Sequence, residues 1–165
     1  MLLNRQISLI TLTASLFLMP LLTGCEKAPK TPKQDVKAAK ETAFEIDPSL
    51  CDFHQKTCDK KLGETLISLA ISPEDTPSEK PLSVTLTSSE PLENLQVSVE
   101  GRDMFMGVIP LILSETGKNT YQGTLIYGSC SSNYMVWRLI ASFQIGGQSK
   151  TVMYDFLADN PAKNG

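Results

Sequence analysis

The side chains of this sequence that could do chemistry are mainly those that carry sulfur. Cysteines stand at Cys25, Cys51, Cys58 and Cys130, and the sole histidine is His54. A thiolate is both a nucleophile and a metal ligand, and two thiols in an oxidising compartment form a disulfide. Because no two cysteines have the Cys-x-x-Cys spacing of a redox pair, we expect them to cross-link the chain, carry a modification or bind a metal.

Methionine sulfur extends the set of candidate metal ligands. Met104 and Met106 stand two residues apart, which on a strand would place both side chains on one face, about 7 Å apart between Cα atoms. Cys130 and Met135 flank a predicted turn. Thiolate and thioether ligands select Cu(I), and the imidazole of His54 suits either copper state. Methionine also fills gaps in cores, so packing is the favoured role of these methionines. We therefore expect no cofactor, with copper as the alternative.

One disulfide is expected if the chain is exported. Cys51 and Cys58 bound a short loop before the first predicted strand, and pairing them would stabilise this core-poor segment by ~2–3 kcal/mol. Pairing of either residue with Cys130 is the alternative, since spacing alone does not fix connectivity. We predict the Cys51–Cys58 bond, which leaves Cys130 as a buried small hydrophobe or as a reactive or metal-binding thiol.

The elements that must position these side chains are predicted to be β-strands. Apolar and polar residues alternate with a period of two, and Gly146-Gly147 is typical of a tight hairpin turn. Pro110 predicts a bulge or a sheet edge. The pattern predicts an all-β, immunoglobulin-like antiparallel β-sandwich of about seven strands over residues 48–160, with a tail over 161–165. The seven segments are Glu64–Ile71, 82–87, 95–99, Phe105–Leu113, Tyr121–Tyr127, Met135–Ile145 and 152–156.

Two neighbours on the longest apolar stripe have opposite expected roles. Trp137 lies on the apolar side and is predicted to anchor the core. Arg138 lies on the polar side and is predicted to pair with Asp155 across the last hairpin. A solvated pair of this kind contributes less than ~1 kcal/mol, so we expect it to orient side chains more than to stabilise the fold.

The stretch from Leu66 to Phe156 resembles small export-side copper-handling domains of the YtkA-like and FixH-like kind. The residues that support the resemblance are Met104, Met106, Cys130 and Met135. It implies a β-sandwich that binds Cu(I), in some cases as part of respiratory-oxidase assembly. The sequence departs from that pattern because it has no His-x-x-x-Met or Met-x-x-His motif, and His54 is remote from the methionines.

The first 25 residues have the features of an export signal. Arg5 is the only charged side chain in them, and a 16-residue, mainly apolar segment runs from Ile7 to Leu22. That segment is short for a spanning helix and typical of a signal peptide. Leu22-Thr23-Gly24-Cys25 closely resembles the bacterial lipobox, which implies cleavage before Cys25 and diacylglycerol on its sulfur. An ordinary secretory signal with a chance cysteine is the alternative.

The residues after Cys25 predict how the folded part is attached. Glu26 is not the Asp that lipoprotein sorting reads as retention in the inner membrane, so the resemblance favours the outer membrane, facing the periplasm. Residues 25–47 contain five lysines, interleaved acids and few large apolar side chains. Such a composition buries too little to order itself, so we predict a flexible linker that spans roughly 25 Å as a coil.

Composition excludes several classes of function. The chain has 165 residues and a net charge of −3, whereas a nucleic-acid-binding domain needs a basic surface. It has no glycine-rich phosphate loop and no His-Glu-x-x-His motif, so we expect no enzyme.

We expect instead a lipid-anchored module that binds another envelope component, with its working surface where residues 101–107 and 128–133 meet. A Cu(I) chaperone or sensor and a structural envelope lipoprotein are the alternatives. The expected partners are therefore the membrane, through the anchor, and an envelope protein.

Overall fold

The fold is described for residues 46–131 and 134–161 in a computed structural model, and these residues form nine strands. The predicted signal peptide, Cys25 and most of the predicted linker lie outside the described residues. The strands are β1 (Cys58–Leu62), β2 (Thr65–Ser72), β3 (Leu82–Ser88), β4 (Glu93–Gly101), β5 (Val108–Leu111), β6 (Ser114–Gly117), β7 (Thr120–Leu125), β8 (Val136–Ile145) and β9 (Gln148–Leu157).

The strands form two antiparallel sheets, as the alternation predicted. One sheet has the order β1-β2-β3-β7-β6 and the other has the order β5-β4-β8-β9. Each of the seven predicted segments overlaps one strand, and β1 and β6 are additional. Both additional strands lie at sheet edges and are largely exposed, so neither has the apolar face that makes a strand visible in the sequence. The all-β sandwich is confirmed, with nine strands in the described residues rather than seven.

The core consists of the inward-facing residues of both sheets. Ile67 and Leu69 of β2 are completely buried, and so is Leu139 of β8. Trp137 is only 1% exposed, which confirms its predicted place in the core. Each buried side chain of this size contributes ~1.5–3 kcal/mol relative to exposure, so these rows hold the two sheets together.

The last hairpin has the predicted two-glycine turn. Gly146 and Gly147 have φ angles of 55° and 76°, a backbone that costs glycine nothing. The turn joins Ile145 to Gln148, and the β8–β9 register continues from there without a break to Val136 and Leu157.

The predicted Cys51–Cys58 disulfide is present, with 5.5 Å between the Cα atoms. Cys51 forms a parallel bridge with Phe156 of β9, and its N–H donates to the carbonyl oxygen of Asp155 at 2.8 Å. Cys58 begins β1, which belongs to the other sheet. The disulfide therefore links an edge of one sheet to an edge of the other.

The prediction of a strand over Phe105–Leu113 is wrong in its first part. Only Val108–Leu111 forms a strand, β5, and residues 102–107 form a loop. Pro110 lies in β5 at the edge of its sheet, as predicted. Among the described residues, no helix has the length and apolar character needed to cross a bilayer.

Candidate functional site

The loop after β4 begins with a close backbone contact at Gly101. An added Cβ at Gly101 would lie 2.1 Å from the carbonyl oxygen of Met104 and 2.8 Å from Cε of Met135. Both distances are far inside van der Waals contact, so only glycine permits the chain to fold back here. Gly107, with φ of 80°, then leads the chain into β5.

This turn brings two of the predicted sulfur ligands together. The thiol of Cys130 lies 3.8 Å from Sδ of Met104, although the two residues are 26 positions apart. Met104 is 49% exposed, and Cys130 is half-buried against the core. We call the loop Gly101–Gly107 together with the segment Tyr127–Ser131 and Met135 the sulfur-bearing end of the sandwich.

The other two methionines are placed differently from one another. Met135 is 7% exposed and packs its methyl group over Gly101, so it belongs both to the core and to this cluster. Met106 is partly buried against the core. The prediction that Met104 and Met106 share one strand face is wrong, because both lie in a loop and only Met104 is exposed by half.

A buried tyrosine holds the segment that carries Cys130. The ring of Tyr127 packs 4.8 Å from that of Trp137, and its hydroxyl donates to the carbonyl oxygen of Thr76. Burial raises the pKa of Tyr127, so the hydroxyl stays protonated and keeps donating. Glu79 adds two contacts, since its N–H donates to the Tyr127 carbonyl at 2.8 Å and its carboxylate accepts from Ser129 Oγ at 2.6 Å.

The opposite flank of the sulfur-bearing end is fixed by Arg102. Its guanidinium lies 2.9 Å from Asp103, 3.2 Å from Asp47 and 3.7 Å from Asp155. The hydrogen bonds to Asp103 raise the pKa of Arg102 further above its ordinary value. The side chain therefore ties the first described residues to the end of β4.

Neighbouring polar groups complete this ionic cluster. Arg138 Nε lies 2.7 Å from Asp155 Oδ1, which confirms the predicted cross-strand pair. Hydrogen bonds to Asp155 raise the pKa of Arg138. Hydrogen bonds from Ser49, and then from Arg102, lower the pKa of Asp47. Arg102, Arg138 and Asp47 consequently remain charged across the neutral range.

His54 is not part of the sulfur-bearing end. It lies in the disulfide loop, and its Nε2 is 2.8 Å from the carbonyl oxygen of Asn160. It lines a groove of about 270 Å³ with Ala70, Ser83 and Thr85 of β2 and β3, in the other sheet from β4. The five candidate metal ligands therefore divide into a sulfur group and a separate histidine.

The donor set at this end suits a soft cation. Residues 46–131 and 134–161 contain no cluster of three or more His, Cys, Asp or Glu side chains able to hold a metal. The sulfur-bearing end instead offers a thiol and a thioether in contact, with a second thioether nearby at Met135. Such ligands prefer Cu(I) over the hard cations that carboxylates bind.

Exposed apolar side chains that the sequence patterns did not single out lie on the sulfur-bearing end, at Phe105, and directly beside it, at Val108 and Ile126. Phe105 is 87% exposed, Val108 is 57% exposed and Ile126 is 56% exposed. In the sequence, Phe105 and Val108 belong to the apolar run Phe105–Leu113 and Ile126 belongs to Tyr121–Tyr127, and both segments are predicted as strands. Of the predicted working surface, Ser132 and Asn133 lie outside the described residues.

Comparisons with known proteins add the following findings. No protein-family model matches the chain, and no curated protein matches it. Among solved structures, it is similar to a protein of the DUF4785 family from Legionella pneumophila, with 13% identity and a TM-score of 0.44 over 59% of this chain and 29% of that one. It is also similar to the GAE domain of GGA2p from Saccharomyces cerevisiae, with 15% identity and a TM-score of 0.36 over 64% of this chain and 99% of that one. The chain thus spans less than a third of the Legionella protein.

Proposed function

We propose that this chain is a lipoprotein on the periplasmic face of a bacterial envelope, with the outer membrane favoured, and that its sandwich binds another envelope component without catalysis. The observation that carries the proposal is the sequence Leu22-Thr23-Gly24-Cys25 behind a short apolar segment. The Cys51–Cys58 disulfide supports export, because such bonds persist in oxidising compartments. Two or three acyl chains at Cys25 would give stable anchoring.

The anchor is tested by following the processing of Cys25. We expect radiolabelled palmitate to enter the wild-type chain and globomycin to cause the unprocessed precursor to accumulate. Cys25→Ala should abolish both effects while leaving the Cys51–Cys58 bond intact. Processing that is insensitive to globomycin, without incorporation of palmitate, would exclude a lipoprotein.

The binding surface in this proposal is the sulfur-bearing end. Its apolar side chains are exposed on a loop beside an ionic cluster, a combination of apolar anchors and polar rim that suits protein contact. Phe105 is the largest of these side chains and the most exposed, so it is the expected anchor.

Site-specific photocrosslinking in intact cells tests this surface. A photoreactive residue at position 105 should capture one defined envelope protein, whereas one at position 118, in the β6–β7 turn, should not. Phe105→Ser should weaken capture from a probe at position 104, and the matched control Ile112→Ser, which removes a side chain 85% exposed on the β5–β6 connection, should not. Equal labelling from positions 105 and 118, with no defined partner, would favour a structural envelope lipoprotein.

A second candidate function is a Cu(I) chaperone or sensor, favoured by the contact between Cys130 and Met104. With metal–sulfur bonds of ~2.3 Å, two sulfurs on one ion lie roughly 3.8–4 Å apart, and the observed separation is 3.8 Å. Cys130, Met104 and Met135 would be the ligands, and the bound metal would be cargo or signal.

Titration of the Cys25→Ala chain with Cu(I), in competition with a chelator and with the Cys51–Cys58 bond kept intact, tests this candidate. Binding tighter than micromolar is expected, with loss in Cys130→Ser and Met104→Leu and no change in His54→Ala. X-ray absorption should show sulfur ligands only. Binding that is unaffected by Cys130→Ser would exclude this site.

A further inference from the structure

Four strand edges end the two sheets, and three of them carry features that oppose pairing with another chain. The edge strand β1 holds Asp59, Lys60 and Lys61 in succession. Its counterpart β6 has four residues and an irregular register with β7. The edge strand β5 has four residues and contains Pro110. Short length, charge, proline and irregular pairing are the usual means of protecting an edge.

The remaining edge, β9, lacks these features. It has ten residues, no proline and an unbroken register with β8. Along its other side, the described part of the chain provides one bridge, between Cys51 and Phe156 at the end of the strand. The edge from Gln148 to Met153 therefore presents main-chain groups without a neighbouring strand among the described residues.

The hairpin defines which main-chain groups face outward. In a two-residue turn the flanking pair, Ile145 and Gln148, is hydrogen-bonded, and such pairs alternate along the ladder. Even-numbered residues of β9 thus bond to β8, and odd-numbered residues direct their N–H and C=O outward. The hydrogen bond from Cys51 to the Asp155 carbonyl agrees with this alternation. Ser149, Thr151 and Met153 are the outward residues that remain.

We propose that β9 pairs antiparallel with β9 of a second copy of this chain, about a two-fold axis at Thr151. In this register Thr151 opposes Thr151 of the other copy, and Ser149 opposes Met153. Every outward main-chain group of the three residues in each copy then has a partner, and the Asp155 carbonyl keeps its bond to Cys51. A register centred on Val152 would instead place Ser149 opposite Asp155, whose carbonyl is already used.

The side chains are compatible with this register. Thr151 and the half-exposed Met153 lie on the outer face of the sheet. Paired threonines are favourable across strands, and Met153 would cover Ser149. Lys150 is the only charged residue from Gln148 to Tyr154, and it would oppose Val152 rather than another lysine. The proposal does not depend on lipidation, although anchoring in one membrane would raise the local concentration of the chain.

Cysteine cross-linking tests the register in the full chain carrying Cys25→Ala. At a hydrogen-bonded pair the two Cα atoms lie about 5.5 Å apart, so Thr151→Cys should give a covalent dimer with a short thiol cross-linker. Ser149→Cys is the matched control, because its two copies would lie ~13 Å apart, four residues along the ladder. The unsubstituted chain controls for Cys130. Equal cross-linking of both variants would overturn the proposal.

Sedimentation of the same chain tests the pairing itself. Thr151→Pro removes an outward N–H that β8 does not use, so the fold should survive while self-association weakens at least about tenfold. Thr151→Ala keeps the main-chain donor and should still dimerise. A monomer at all concentrations in the unsubstituted chain would overturn the proposal. So would protection of the Thr151 and Met153 amides from hydrogen exchange that does not vary with protein concentration.

Discussion

The two ends of the sandwich are built in different ways. At the hairpin end, β8 and β9 are joined by Gly146-Gly147, and β6 and β7 by Lys118-Asn119, with Asn119 at φ of 54°. At the sulfur-bearing end, the chain leaves the strands in longer segments that are held by Tyr127, Trp137 and Arg102. A tight turn only joins two strands, whereas a longer loop that is held in place can present side chains to a partner.

This difference explains why the candidate chemistry lies at one end. The contact between Cys130 and Met104 needs two loops, one that joins β4 to β5 within a sheet and one that joins β7 to β8 across the two sheets, and each loop has its own buried or ionic anchor. At the hairpin end, the turns form through the backbone conformation of their own residues. A substitution at one end can therefore be compared with a matched substitution at the other end or at a neutral position.

The largest expected effect comes from Gly101→Ala. The new Cβ would lie 2.1 Å from the Met104 carbonyl oxygen, so the loop must move and the free energy of unfolding should fall by ~3 kcal/mol. Gly147→Ala, at the hairpin end with φ of 76°, should cost ~1 kcal/mol. Gly128→Ala meets nothing within 4 Å and should change stability by less than ~0.5 kcal/mol. Urea unfolding measures all three. Equal losses at Gly101 and Gly128 would contradict the close contact.

Removal of the disulfide should have the next largest effect. The double variant Cys51→Ala, Cys58→Ala should lose ~2–3 kcal/mol of unfolding free energy, because the open loop gains conformational freedom in the unfolded chain. Hydrogen exchange should accelerate first at Phe156 and in β1, where the bond is attached, and last near Gly146. Uniform acceleration at both ends would show that the bond acts on the whole sandwich alike.

Two tyrosines allow a matched comparison of the ends. Tyr127→Phe removes the bond to Thr76, and Tyr121→Phe removes bonds to the main chain of Leu92. Each should cost about 1 kcal/mol, measured by thermal unfolding. Only Tyr127→Phe should speed alkylation of Cys130, because Tyr127 holds the segment that carries the thiol. Faster alkylation in both variants would indicate a general loss of stability instead.

The smallest expected effect is on the stability of the fold at acid pH. Hydrogen bonds from Ser49, and then from Arg102, lower the pKa of Asp47 below its ordinary value of 3.8. The ionised Asp47 therefore stabilises the fold at pH values above 3.8, and this contribution is lost as the pH falls through the lowered pKa. In Asp47→Asn, the free energy of unfolding should change less over this acid pH range than in the unsubstituted chain. In an NMR titration Ser49→Ala should move the Asp47 pKa back toward 3.8. An unchanged pKa in Ser49→Ala would refute the assigned cause.

Most strands were predictable from local alternation, because a strand with one buried face repeats every two residues. β1 and β6 were missed since edge strands with Asp59-Lys60-Lys61 or Ser114-Glu115-Thr116-Gly117 bury no face. Residues 105–107, which lie in a loop, are predicted as strand because the apolar run that begins at Phe105 suggests burial. Its true course depends on the close contact at Gly101, which involves Met135, far away in the sequence.

The candidate site was predictable in its residue types but not in its geometry. Ligand chemistry placed Met104, Cys130 and His54 in one set of candidate metal ligands. Met104 and Cys130 are in contact, whereas His54 lies against Asn160. Nothing local distinguishes these cases, since each contact depends on how the two sheets stack. The Cys51–Cys58 bond could be predicted more readily, because the two cysteines are only seven residues apart in the sequence.

The link between Cys51 beside β9 and Cys58 at the start of β1 has a mechanical consequence. A pulling force applied at Ile46 reaches the disulfide after only five residues and is there divided between both sheets. The force acts on β9 as well as on β1, because the N–H of Cys51 donates to the carbonyl oxygen of Asp155. A load from the amino-terminal side therefore enters both sheets at this corner rather than β1 alone.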